Sequence, residues 1–105
     1  MMFGLNENEV QIIQRTLAEC PELEKAIVFG SRAMGNYKTG SDIDLALFGK
    51  GISRKTILDL YDQLNEVLNL PYHFDIIDYH GITNEALKKH IDDIGISIWE
   101  NKNFK

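Results

Sequence analysis

The chain has 105 residues, 44% of them hydrophobic and 26% charged, with a formal net charge of −5. That is ordinary globular composition for one domain spanning 1–105, and it argues against wholesale disorder. No apolar run approaches the roughly 18 residues of a membrane span, and the acidity disfavours general nucleic-acid binding, whose affinity comes from neutralising phosphates.

The elements follow in chain order. Residues 6–19 read as a helix with Asn6 as N-cap, Glu7 and Glu9 in the first turn, and Val10, Ile13 and Leu17 as its buried stripe. Cys20 and Pro21 end it. Residues 24–29 (EKAIVF) read as a strand, and 30–41 (GSRAMGNYKTGS) as a loop or a loop with a short helix. Residues 42–48 (DIDLALF) are a second strand. Residues 53–69 predict a long helix capped by Ser53, with Ile57, Leu60, Tyr61, Leu64, Val67 and Leu68 as its apolar face. Residues 73–78 (HFDIID) are a third strand, and 83–93 a helix capped by Thr83. The type of the apolar run ISIW at 96–99 stays open. The order predicts an α/β (α+β) layer, a small mixed β-sheet with helices packed on it. The N-terminus lacks the basic patch and long apolar run of a secretory signal, and the single Cys20 cannot form an internal disulfide. A reducing, cytoplasmic setting is therefore expected.

Asp42 and Asp44 flank Ile43 on a predicted strand, so both carboxylates project on one side. Like charges placed so close repel unless solvent or a cation relieves them. Carboxylates with open positions suit Mg²⁺, a hard cation that takes oxygen ligands and keeps several waters. Asp75 can join the pair if strand 73–78 neighbours strand 42–48. Asp78, three residues on, would face the other way. Gly30-Ser31 directly follows a strand, where a glycine lets backbone approach a phosphate and free N–H groups can bind anions. Taken singly, each feature also reads as a solvated turn or strand end. Together they are the parts of metal-assisted transfer on a nucleotide, with two ions about 4 Å apart clamping the attacking and leaving oxygens.

Gly30-Ser31, ten residues, then Asp42-x-Asp44 resembles the signature of the DNA-polymerase-β-type nucleotidyltransferase superfamily. The stretch VFGSRAMGNYKTGSDIDLALF resembles its minimal nucleotidyltransferase (MNT) domains, and HFDIIDY falls where that family carries a third carboxylate, on Asp75. Met34 stands where many relatives have arginine, which bears on substrate contacts rather than on metal binding. The resemblance implies a polymerase β-like fold and a two-metal Mg²⁺ site. Asp42, Asp44 and Asp75 would be catalytic residues and metal ligands. Gly30, Ser31, Arg32 and Ser41 would bind the nucleotide, with Gly30 and Ser31 on the β- and γ-phosphates. It further implies the antitoxin half of a HEPN–MNT toxin–antitoxin pair, moving AMP from ATP onto a tyrosine hydroxyl of a HEPN ribonuclease. A module that neutralises the toxin by docking alone is the alternative. A small-molecule nucleotidyltransferase is the third reading, disfavoured because relatives of that kind add a helical domain for the acceptor. On this reading 105 residues build half a site, and the acceptor arrives with its partner. Assembly as a homo- or hetero-oligomer stays open.

The remaining candidates have plainer readings. Arg32 and Lys38 could contact phosphate or acceptor, or be solvated loop charges. His73, His80 and His90 show no ligand spacing, so no zinc site is expected, and His90 reads as lying on a solvated helix face. Tyr61, Tyr72, Tyr79 and Trp99 read as packing residues, with Trp99 the best of them for a partner contact. Cys20 reads as a small, partly buried hydrophobe.

Overall fold

The computed structural model describes residues 2–102. Met1 and residues 103–105, the ends of the expected domain, lie outside the described residues. Helix α1 spans Glu7–Ala18 and opens on a capping box. The Asn6 side chain accepts from the Glu9 N–H at 2.8 Å, and the Glu9 carboxylate accepts from the Asn6 N–H at 3.0 Å. Val10, Ile13 and Leu17 are buried, as their spacing predicts.

Four strands form one mixed sheet in the order β3-β2-β1-β4: β1 Lys25–Phe29, β2 Ile43–Phe48, β3 Phe74–Asp78 and β4 Ile96–Glu100. β1 pairs antiparallel with both β2 and β4, so the open ISIW run is an edge strand. β2 pairs parallel with β3, which requires a crossover. Helix α3, Arg54–Asp62, supplies it, with Ser53 as its N-cap.

The expected helix over 53–69 is not one regular element. After Asp62 the chain widens into a π-helical turn at Gln63–Val67. The wider turn shifts the phase of the apolar face, so Leu64 stays buried while Val67 is 58% exposed. Asn65 in this turn closes the start of β3. Its side chain accepts from the Phe74 N–H at 2.8 Å and donates to the Phe74 carbonyl at 3.1 Å. Helix α4, Glu85–Ile94, is capped by Asn84 rather than Thr83, since the Asn84 side chain accepts from the Leu87 N–H.

The sheet buries two faces. Ala26, Val28, Ile43, Leu45, Leu47 and Phe74 meet α1 and α3 in the main core. Phe29, Ala46 and Ile91 form a smaller core under α4. Alternation along β2 puts Asp44 on the α4 face, at the end of the strand where that cover stops. No helix among the described residues is long and apolar enough to cross a membrane.

Candidate active site

The strand pairing brings the three carboxylates together. In the parallel β2–β3 register Asp44 pairs with Asp75, and Ile43 with Phe74. Asp42 lies one residue before β2 rather than inside it. Asp42 and Asp75 side chains are 51% and 54% exposed, open to ligand from one side. Asp44 is half-buried. Burial raises its carboxyl above the ordinary range first, the charges of Asp75 and Asp42 add to that, and His90 opposes it. Asp78 takes no part in this cluster; its side chain accepts from the His80 N–H and caps a 3₁₀ turn at Tyr79–Gly81.

Gly30 ends β1 on the strand next to Asp44. Its φ of +73° is open to glycine and strained for other residues, and a Cβ there would run into the Asp44 carboxylate. The Gly30 N–H donates to His90 Nε2 at 3.1 Å, so it is engaged within the fold. A short helix α2, Ser31–Met34, follows. The N–H groups of Ser31 and Arg32 open its turn, where no intrahelical carbonyl awaits them.

Arg32 turns inward and is 4% exposed. Its guanidinium donates to the Phe3 carbonyl at 3.0 Å and twice to the Ser41 carbonyl, at 2.8 and 3.2 Å. It lies between the rings of Tyr37 and Tyr72, about 5 Å from each centroid. Through these bonds Arg32 ties the loop before Asp42 to the N-terminal segment. Ser41 is held in the same loop, its hydroxyl accepting from the Lys38 N–H at 2.8 Å. Lys38 itself is exposed.

Two histidines stand where spacing alone did not put them. His73, two residues before Asp75, shares its face. Its Nδ1 lies 3.7 Å from Asp42 Oδ1 and 4.0 Å from Asp75 Oδ1. One ligand atom from each of Asp42, His73 and Asp75 lies within 4.8 Å of the others. His90 is only half-exposed on α4 and meets Phe29 edge to face. The His-x-Asp spacing of 73–75 was the available signal for His73. Nothing local marks His90, 60 positions from its partner Gly30.

The aromatic residues divide. Tyr79 stacks on Phe48 at 4.2 Å, Tyr72 packs on the main core, and so does half-buried Trp99. Tyr61 is 40% exposed, beside His73.

The donor set fits a divalent cation. Three carboxylates converge on an open edge, and one of them is raised by burial and then by the charge of the others. An adjoining turn offers N–H groups to an anion. This arrangement can hold a cation and a phosphate side by side.

Solved structures share the fold. A toxin–antitoxin crystal structure with AMP-PNP superposes with a TM-score of 0.69 at 24% identity, covering 94% of this chain and 77% of that one. A structure of the tri-AMPylated Shewanella oneidensis HEPN toxin in complex with MNT antitoxin gives 0.63 at 22%, with 97% and 76% covered. A putative nucleotidyltransferase from Sulfolobus solfataricus gives 0.57 at 24%, with 96% and 82% covered. No curated protein matched the sequence. The family model described as polymerase beta, nucleotidyltransferase matches residues 11–104, which takes in both glycine-serine loop and all three carboxylates. The chain is a member of the polymerase β nucleotidyltransferase family.

Proposed function

We propose that the protein is a cytoplasmic nucleotidyltransferase that moves AMP from ATP to a tyrosine hydroxyl of a HEPN ribonuclease, acting as its antitoxin. The observation that carries this reading is the meeting of Asp42, Asp44 and Asp75 at one strand edge beside the Gly30-Ser31 turn. Family membership supports the reaction class. The toxin–antitoxin neighbours, one with a tri-AMPylated HEPN toxin, support a HEPN partner and AMP transfer to it, while the tyrosine comes from the family resemblance.

Asp42, Asp44 and Asp75 would hold Mg²⁺. When bound, it neutralises triphosphate charge and lowers the pKa of an attacking hydroxyl. The chain's own residues do the positioning. Ser31 and the opening N–H groups of α2 face the β- and γ-phosphates. Gly30 gives the Asp44 carboxylate room beside this turn by carrying no Cβ. Arg32 and Ser41 act on the nucleotide through the loop they hold together. The acceptor oxygen bonds to the α-phosphorus, pyrophosphate leaves, and the hydroxyl proton passes to a carboxylate or water at the open edge. Holding reactants in line and neutralising charge account for most of such catalysis.

The exposure of Asp42 and Asp75 matches an acceptor delivered by a second protein. The test is incubation of the purified protein with α-labelled ATP, Mg²⁺ and a HEPN protein from an adjacent reading frame. Label on a tyrosine of the partner is the expected result. An unlabelled partner, with both proteins folded and bound, contradicts the transferase reading and leaves docking.

A further inference from the structure

His73 brings a nitrogen donor to a site otherwise built of oxygen. Tyr61 contacts its ring, and β2 and Asn65 hold the backbone around it. Nε2 lies 3.1 Å from the Tyr61 hydroxyl, and the two rings meet edge to face at 78°. The His73 carbonyl accepts from the Ile43 N–H at 2.9 Å, and Asn65 pins the next residue, Phe74. With Nε2 tied to Tyr61, Nδ1 is the nitrogen presented to Asp42 and Asp75. Such a contact fixes tautomer and orientation in metal-binding histidines.

The distances suit a shared ion. Ligands about 2.1 Å from one ion stand roughly 3–3.5 Å apart. The Nδ1 separations of 3.7 and 4.0 Å close to that with small side-chain rotations. His73 is 48% exposed, which leaves room for water or substrate oxygens to complete the shell.

The geometry points to a mixed Asp42–His73–Asp75 centre in which His73 Nδ1 ligates a transition ion of the Co²⁺ and Zn²⁺ kind. Carboxylates and water suit Mg²⁺, whereas imidazole suits the later first-row ions. His73 therefore sets the metal preference of the site. Removing it costs Co²⁺ and Zn²⁺ affinity and leaves Mg²⁺ affinity nearly unchanged. The inference rests on the proposed metal location at Asp42 and Asp75 and does not depend on AMP transfer.

The test uses the full chain with metal alone, without nucleotide or partner. Wild-type protein is titrated with Co²⁺ by visible absorption, and with Mg²⁺ by calorimetry. His73→Gln is expected to weaken Co²⁺ binding by about ten-fold or more, and Mg²⁺ binding by less than about two-fold. Equal Co²⁺ affinity in the two proteins, or equal loss for both metals, overturns the inference. Nitrogen NMR of the wild-type histidines gives a second readout that needs no variant. Zn²⁺ is expected to shift His73 Nδ1 and leave a protonated Nε2; an unmoved Nδ1 overturns the assignment. Co²⁺ binding through His73 in a protein that transfers no AMP would sink the functional reading and leave this one standing.

Discussion

Asp44 and Asp75 are register partners across the parallel β2–β3 pair, so two carboxylates occupy one level of the sheet. Asp44 is the half-buried member, and burial together with Asp75 and Asp42 raises its carboxyl. The folded protein therefore takes up a proton on Asp44 more readily than the unfolded chain does. The contribution of this group to stability is fullest below the ordinary carboxylate value and is lost as pH rises through the raised one. Asp44→Asn is expected to stabilise the metal-free protein at neutral pH by up to about 1 kcal/mol. It should also flatten the decline. Urea unfolding at several pH values, without divalent cation, checks both.

Gly30→Ala is expected to destabilise the protein by about 1–3 kcal/mol, because φ +73° with ψ −154° is a region essentially reserved for glycine. The added methyl also displaces the Asp44 carboxylate, so Mg²⁺ affinity falls with stability. Denaturant unfolding and metal calorimetry on the same variant measure the two effects.

Arg32 is a buried cation bonded to backbone carbonyls. Arg32→Ala leaves the Phe3 and Ser41 carbonyls without their donor and is expected to cost about 2 kcal/mol or more. Arg32→Lys recovers little of that, because an ammonium lacks the planar fork that reaches two carbonyls. Equilibrium unfolding of both variants tests it. A loss of nucleotide affinity with unchanged stability would instead put the guanidinium on the substrate.

Cys20 stays a thiol at neutral pH. Burial, with the hydrogen bond and charge of Glu22, pushes its pKa up to about 11. Alkylation by iodoacetamide at pH 8 is expected to be slow in the folded protein and to accelerate in urea, as peptide mass spectrometry can follow.

Where sequence and structure agree, the signals are short-range. Asn6, Glu9 and the Val10–Ile13–Leu17 stripe are local, and α1 forms where they predict it. The alternation in DIDLALF reports the two faces of β2 directly, because period and burial coincide there. What the sequence leaves open or misses involves distant partners. The run ISIW is too short to distinguish strand from helix, and it becomes β4 by pairing with β1, some 70 positions earlier. The π-helical turn answers to Asn65 and Phe74, which no helical periodicity in 53–69 encodes. The sequence leaves Arg32 between a phosphate or acceptor contact and a solvated loop charge, and its enclosure by Phe3 and Ser41 arises only in the fold. The histidines gain their places from strand register and from the docking of α4, both tertiary events.

The central claim is that the three carboxylates serve transfer to a protein acceptor. Its most direct measurement is the intact mass of the HEPN partner, isolated from cells that coexpress it with this protein. Wild-type protein is predicted to leave the partner heavier by one or more AMP units, and Asp42→Asn combined with Asp44→Asn to leave it at its unmodified mass. An unmodified partner recovered with the wild type, from cells that are nonetheless protected, would contradict the account.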